Sequence, residues 1–383
     1  MLTQQITEGD NIIDFELRPE ESDNGGNNNG NNGGVSGPSA GAAKIILQSI
    51  SAEAINIAET GGIVNSSFTF VVQDSAGRNI SLNNAVDVEF SILSDPGGGE
   101  GITPTSVRTN ADGAATSNLF SGNLAGVVKI LAEIEREDID LTIRSEPVAI
   151  KIHGGFPDLD HFSISVATFN FEGFSRDGIT NPVTVSIGDK FSNPVKPGTA
   201  VYFESTVGII EGSASGHTNN QGQASVNLIS GGSRDLLNHP TLGYGYATVT
   251  ATTVNEDDQE IQRDIDVLFS GPPSYSNIQL QPSTFTIPAN GGETFDLTVT
   301  DINGNPLPAG TTVSIEVAEG LDVTGGDIEI PNALLPGGNV TNFTFSVADT
   351  DEERSSVQDT QITIKVETPA GDKASRSFSG TRA

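Results

Sequence analysis

The sequence predicts an all-β protein: three tandem β-sandwich domains after a flexible N-terminal tether. Three observations carry this reading. Apolar residues alternate at period two along most of the chain, one strand-and-turn unit recurs three times, and the apolar supply is too thin for a single large core. Hydrophobic residues make up 35% of the 383 and aromatic residues 6%, with Gly 44, Pro 19, Phe 18 and Trp 0. Such a composition fills several small cores better than one big one.

In chain order, residues 1–22 hold one short apolar run, Ile12-Ile13-Asp14-Phe15-Glu16-Leu17, ended by Arg18-Pro19 and an acidic stretch. This segment reads either as the tail of an upstream domain or as a lone strand. Residues 23–42, rich in Asn and Gly, offer little to bury and great backbone freedom. They are expected to form a tether with a reach of ~25 Å by random-coil scaling. From residue 43 onward the alternating runs begin, as in Ser67-Phe68-Thr69-Phe70-Val71-Val72, Val183-Thr184-Val185-Ser186-Ile187 and Phe295-Asp296-Leu297-Thr298-Val299. These are strands. No stretch keeps a capped helical spacing, so helix content is expected to be very low.

The repeat fixes the organisation. A strand running into Asp and a turn appears at Asp74, Asp189 and Asp301, each followed by a partner strand at 86–90, 200–204 and 312–316. A second element, Thr109-Asn110-Ala111-Asp112-Gly113, aligns with Thr218-Asn219-Asn220-Gln221-Gly222 and reads as a polar hairpin with Gly where φ is positive. In the third copy it has decayed to Pro336-Gly337-Gly338-Asn339. A closing hairpin recurs in 127–152, 246–269 and 360–379. The expected domains are therefore 1–42 (segment and linker), 43–154, 155–271 and 272–383, the last three each about the size of an immunoglobulin-like sandwich. Short junctions with Pro157 and Pro272-Pro273 restrict rotation, and three such domains end to end would make a semi-rigid rod of ~100 Å.

Charge and composition exclude several functions. A formal charge of −32, with acidic residues spread evenly over the three repeats, would repel the phosphate backbone, so nucleic acid is not an expected partner. Anionic membrane surfaces are disfavoured for the same reason. With Cys 0, disulfides, thiolate metal sites and Cys nucleophiles are excluded within this chain. No run of 18 apolar residues and no basic-then-apolar leader is visible, so neither a membrane span nor a signal peptide is expected in this sequence.

At the repeated elements the chain resembles the bacterial immunoglobulin-like modules found in invasin, intimin and related surface proteins. The family pattern runs from a strand into Asp-x-x-Gly-x-Pro, then Gly-x-x-Val-x-Phe, Thr-Asn-x-x-Gly-x-Ala and a closing Thr-Val-Thr-Ala strand. Asp301-Ile302-Asn303-Gly304-Asn305-Pro306 and Thr311 to Ile315 match the first half; Thr218 to Leu228 and Ala247-Thr248-Val249-Thr250-Ala251 match the second. The likeness spans roughly residues 43–383. The first repeat departs with Arg78-Asn79 where Gly or Pro is usual. What the resemblance implies is a bacterial surface stalk or adhesin, without the anchoring barrel or lectin-like tip of the best-known members.

Few constellations carry chemistry. His153-Gly154-Gly155-Phe156 mimics the oxyanion-hole segment of α/β-hydrolases, but the required Gly-x-Ser-x-Gly elbow has Ala214 at its centre in Gly212-Ser213-Ala214-Ser215-Gly216. A domain junction is the better reading. Asp74, Asp189 and Asp301 are expected to bond their own turns. The alternative for the third repeat is calcium, the one cofactor the residues admit, held by Asp301 and Asn303 with Asp351 or Glu352 if these converge. Partner contact is expected on the long loop 231–246, where Arg234, His239 and Tyr244 put a cation, an imidazole and an amphipathic ring together; Tyr246 is assigned to the following strand and the core. The expected function is a non-enzymatic bacterial cell-surface or secreted protein, a stalk or adhesion segment with a protein or glycan partner at a cell surface and neighbouring domains in a longer polypeptide. The alternatives are accessory modules of a secreted enzyme and a calcium- or carbohydrate-binding set.

Overall fold

The computed structural model describes residues 38–58, 60, 62–233, 238–351 and 356–383. The apolar run at 12–17 and most of the tether lie outside the described residues. The described chain is all-β, and its only helical pieces are two single 3-10 turns, Leu82–Asn84 and Leu159–His161.

Three sandwiches follow one another, each with its own apolar core. In the first, one sheet sets Lys44–Ile50, Asn65–Gln73, Ala114–Phe120 and Gly101–Thr103 side by side. The facing sheet runs Ala54–Asn56, Val148–His153, Gly126–Arg136, Asp87–Ser94 and Ser106–Arg108, with Leu141–Arg144 added on Gly126–Arg136. The second repeats the order as Phe162–Val166, Thr180–Ile187, Gln223–Ile229, Ile209–Ile210 against Asn170–Phe171, Glu260–Phe269, Tyr246–Val254, Ala200–Ser205, Ser215–His217. The third repeats it again as Pro273–Gln281, Gly292–Asp301, Asn342–Asp349, Leu321–Thr324 against Phe285–Ile287, Lys373–Arg382, Gln358–Glu367, Thr312–Val317, Asp327–Glu329. In every copy a short segment leaves the first sheet and pairs parallel with the last strand of the second. This order is that of the immunoglobulin-like sandwich.

Period-two alternation explains each face. Phe68, Phe70 and Val72 of Asn65–Gln73 point into the first core, and Phe68 meets Phe90 edge-on at 5.3 Å between ring centroids. Phe295 stacks on Phe345 at 5.3 Å in the third, and Phe171 leans on Phe269 at 4.6 Å in the second. Such pairs contribute about 0.5–1.5 kcal/mol beyond area burial. On the solvent faces hydroxyl pairs bridge neighbouring strands: Thr69 with Thr116, Thr184 with Ser225, Thr294 with Ser346, Thr363 with Ser377. A chain with 35% hydrophobic residues can thus keep one face of each sheet apolar and the other Thr- and Ser-rich.

The Thr-Asn-x-x-Gly element does two jobs. Buried Thr109 and Thr218 accept an N–H from the facing chain, at Val86 and Thr199, while Asn110 and Asn219 accept two N–H groups of their own turns. Gly222 closes the turn with φ at 71°, and a Cβ there would stand 2.3 Å from the Ile187 carbonyl oxygen. Gly178, at φ 81°, faces open space. Gly178→Ala should cost about 1 kcal/mol for the left-handed backbone alone, and Gly222→Ala about 2–4 kcal/mol because a contact is added, both read from urea denaturation.

Candidate functional site

The three Asp residues at or just past the end of a strand are buried, with relative exposures of 3% for Asp74, 1% for Asp189 and 0% for Asp301. Each carboxylate divides its oxygens in the same way. Oδ1 accepts the N–H groups two and four residues on: Ala76 and Arg78, Phe191 and Asn193, Asn303 and Asn305. Oδ2 accepts one N–H from the chain entering the sandwich: Ala40 at 3.0 Å, Gly155 at 2.7 Å and Gly271 at 2.7 Å. The carboxylate therefore closes its own turn and fastens the incoming junction with one group. Residues 39–42, assigned to the tether by composition, belong instead to the first sandwich, because Ala40 is held by Asp74, Ser39 bonds Ser81 and Ala42 is buried in the core.

The resemblance of His153-Gly154-Gly155-Phe156 to an oxyanion segment also resolves here. The Gly155 N–H is committed to Asp189, and Gly154 lies so close to Pro194 that a Cβ would fall 2.0 Å from its carbonyl oxygen. Both glycines serve the junction.

The residue four positions after each Asp completes the arrangement. Arg78 turns inward, its guanidinium 2.8 Å from Asp74. Asn193 reaches across to the first sandwich, donating to the Asn123 carbonyl at 2.9 Å and accepting from Ala125 N–H at 2.9 Å. Asn305 donates to the Tyr244 carbonyl of the second sandwich at 2.8 Å. The second joint has further bridges: Asn170 donates to Leu307 and Pro331 carbonyls and accepts from Ala333, Asn332 bonds Ala167 and Phe169, and Arg176 meets Asp372 at 2.8 Å. Sequence reasoning missed these asparagines. Their signal was burial of an amide in a short edge strand, as at Asn170, which composition does not reveal.

Of the loop residues singled out for partner contact, Arg234 lies outside the described residues. His239 and Tyr244 come together in a small hairpin, Asn238–His239 paired with Gly243–Tyr244. His239 Nδ1 accepts the Leu242 N–H, and its Nε2 lies 3.5 Å from Asp266. The Tyr244 ring stands edge-on to Phe174 at 5.6 Å. With its carbonyl held by Asn305, the hairpin is part of the second joint. Tyr246 is buried, donates to the Leu334 carbonyl, and its phenol is pushed up to about 12 by burial and by the charge of Asp301.

The residues considered for calcium do not converge. Asp301 ends the strand Gly292–Asp301, whereas the Asp349 N–H donates to the Gly291 carbonyl just before its beginning, with Asp351 two residues on. Ten strand residues separate the two ends by roughly 30 Å. Asp351 instead lies 3.7 Å from buried Arg382, which pairs with Asp349 at 2.7 Å, so a guanidinium already supplies the positive charge there. Asn303 presents a buried amide nitrogen without a partner, a donor and not a metal ligand. Glu352 lies outside the described residues, and among the described residues no cluster of His, Asp and Glu has metal-binding spacing.

No family model and no curated protein matches the chain. Among solved structures it is similar to the Escherichia coli adhesin FdeC, with 13% identity over 91% of this chain and 99% of that one, at a TM-score of 0.44. The D0-D1 domain of intimin gives 19% identity over 60% and 100%, with a TM-score of 0.23. Domains 1-6 of the surface layer protein SbsC give 14% over 90% and 40%, with a TM-score of 0.25. The fold assignment rests on the sheet order of this chain and not on these likenesses.

The environments of two of the buried carboxylates pull their proton affinities apart. The Ala40 N–H first, and Arg78 with it, hold Asp74 well below the usual carboxylate range, while burial pushes Asp301 up. A depressed value means that Asp74 adds stability above its ordinary value of 3.8 and loses it as pH falls through the folded value. The raised value of Asp301 works oppositely, its contribution fading as pH rises. Asp74→Asn should therefore lower the melting temperature at pH 7, and the gap from the parent chain should close on acidification below 3.8, followed by calorimetry.

Proposed function

We propose that the chain is a segment of a bacterial surface or secreted protein, of the invasin and intimin type, in which tandem immunoglobulin-like sandwiches act as a stiffened spacer or adhesion segment. The observation that carries this reading is the pair of joints. At each, a buried Asp fastens the incoming chain and an Asn four residues later bonds the preceding sandwich, through Asn193 at one joint and Asn305 at the other. A segment meant to hold a partner at a set distance needs such restraint, because free rotation at each junction would shorten its reach and cost entropy on engagement. The joint between the second and third sandwiches carries more bridges and is the stiffer of the two. The acidic, hydroxyl-rich outer faces suit exposure to solvent and resist self-association.

The test is motional. In ¹⁵N relaxation the second and third sandwiches should tumble with one correlation time, and Asn170→Ala combined with Asn332→Ala should separate their values while each sandwich keeps its own melting transition. Independent tumbling of the parent chain's sandwiches would remove the basis of the spacer reading.

A further inference from the structure

A groove of about 390 Å³ lies where the first two sandwiches meet. Asn56 and Thr60 line it from the first, Gly154 to Pro157 from the junction, and Lys196, Thr199, Tyr202 and Val254 from the second. Two aromatic faces are open to solvent, Tyr202 with 58% relative exposure and Phe156 with 47%. Lys196 is exposed, and among the described residues no carboxylate pairs with it or lines the groove. An unpartnered ammonium beside open rings is unusual in a chain carrying a formal −32.

We propose that this groove binds an acidic saccharide, a pyranose bearing a carboxylate, with the sugar ring against Tyr202 and Phe156 and the carboxylate on Lys196. The volume suits a small ligand. Ring C–H groups pack on aromatic faces, and the Tyr hydroxyl adds a polar edge. One hydroxyl at the rim is set for a sugar donor: Thr199 Oγ1 donates to the Lys196 carbonyl, leaving its oxygen with a free lone pair. A peptide partner fits less well. The floor strand Ala200–Ser205 is paired on both sides, with Tyr246–Val254 and Ser215–His217, so it offers no open edge for backbone pairing.

This inference stands apart from the spacer reading, since a stiff segment without a ligand and a loose one with a ligand are both readable outcomes. The experiment titrates galacturonate into the full chain, followed by amide shifts and calorimetry, with neutral galactose and a short glutamate- and phenylalanine-containing peptide as parallel probes. Saturable binding of the acidic sugar is expected, with shifts at Phe156, Lys196, Thr199 and Tyr202. The neutral sugar should bind roughly tenfold more weakly, and Lys196→Gln and Tyr202→Ala should each cost about tenfold while melting as the parent does. Absence of saturable binding, or undiminished binding by Lys196→Gln, overturns the proposal. Tighter binding of the peptide through the same residues overturns it as well, in favour of a protein partner.

Discussion

The structure depends on a buried carboxylate placed at or just past the end of the same strand in all three sandwiches. A buried charge is costly unless it is well hydrogen-bonded, and here three backbone N–H groups reach the carboxylate: two from the following turn and one from the chain that enters the sandwich. The geometry leaves little choice. The turn must curl back for Oδ1, and the junction must pass close by for Oδ2, so a single side chain sets both the local turn and the place where one sandwich is joined to the next. The glycines of the first junction follow from this closeness, since a Cβ at Gly155 would press on the side chain of Asp189 at 3.3 Å.

What each carboxylate does next depends on its neighbour four residues on. Arg78 keeps its charge at home and neutralises Asp74, in the sandwich that the Asn- and Gly-rich stretch precedes in this sequence. Where another sandwich precedes, that position is Asn, whose amide both donates and accepts and so can reach outward, as Asn193 does to Asn123 and Ala125. The presence of Arg78 in the first repeat where the other two have Asn193 and Asn305 thus has a physical reason. Charge balance follows the same division: Asp74 sits beside a guanidinium and Asp301 among backbone N–H groups alone, and their proton affinities move in opposite directions.

The fold was legible because it rests on patterns that a sequence displays directly. Phe68-Thr69-Phe70 and Thr294-Phe295 announce alternating faces, and Thr218 to Gly222 spell a turn whose Gly and Asn each have one feasible role. The site was less legible. The calcium candidates form two pairs in the sequence, Asp301 with Asn303 and Asp351 with Glu352, and nothing in the sequence shows that the length of the strand Gly292–Asp301 keeps Asp301 from Asp351. Asn170 and Asn332 are 162 positions apart and look like ordinary loop residues, although they bridge the same joint. The groove beside Tyr202 was invisible for the same reason: its walls come from Asn56, Phe156 and Lys196, which only the docking of two sandwiches brings together.

The placement of cations sharpens that last point. Most described Arg and Lys side chains are committed, as Arg108, Arg136, Arg144, Lys190, Lys365 and Lys373 are to nearby carboxylates. Arg263 is spent on the Phe162 and Leu159 carbonyls, and Arg376 lies over the rings of Tyr275 and Phe378. Lys151 and Lys196 act together on His153, at the boundary of the first two sandwiches. In a molecule whose net field is strongly negative, an anion is repelled at long range and can be held only where free ammonium groups stand within a Debye length, about 8 Å at physiological salt. Local attraction inside global repulsion favours small or flexible anions that can approach one spot without meeting the rest of the surface, and it disfavours broad anionic partners such as nucleic acid or a charged membrane. A single carboxylate on a neutral ring satisfies that constraint with the least opposing charge.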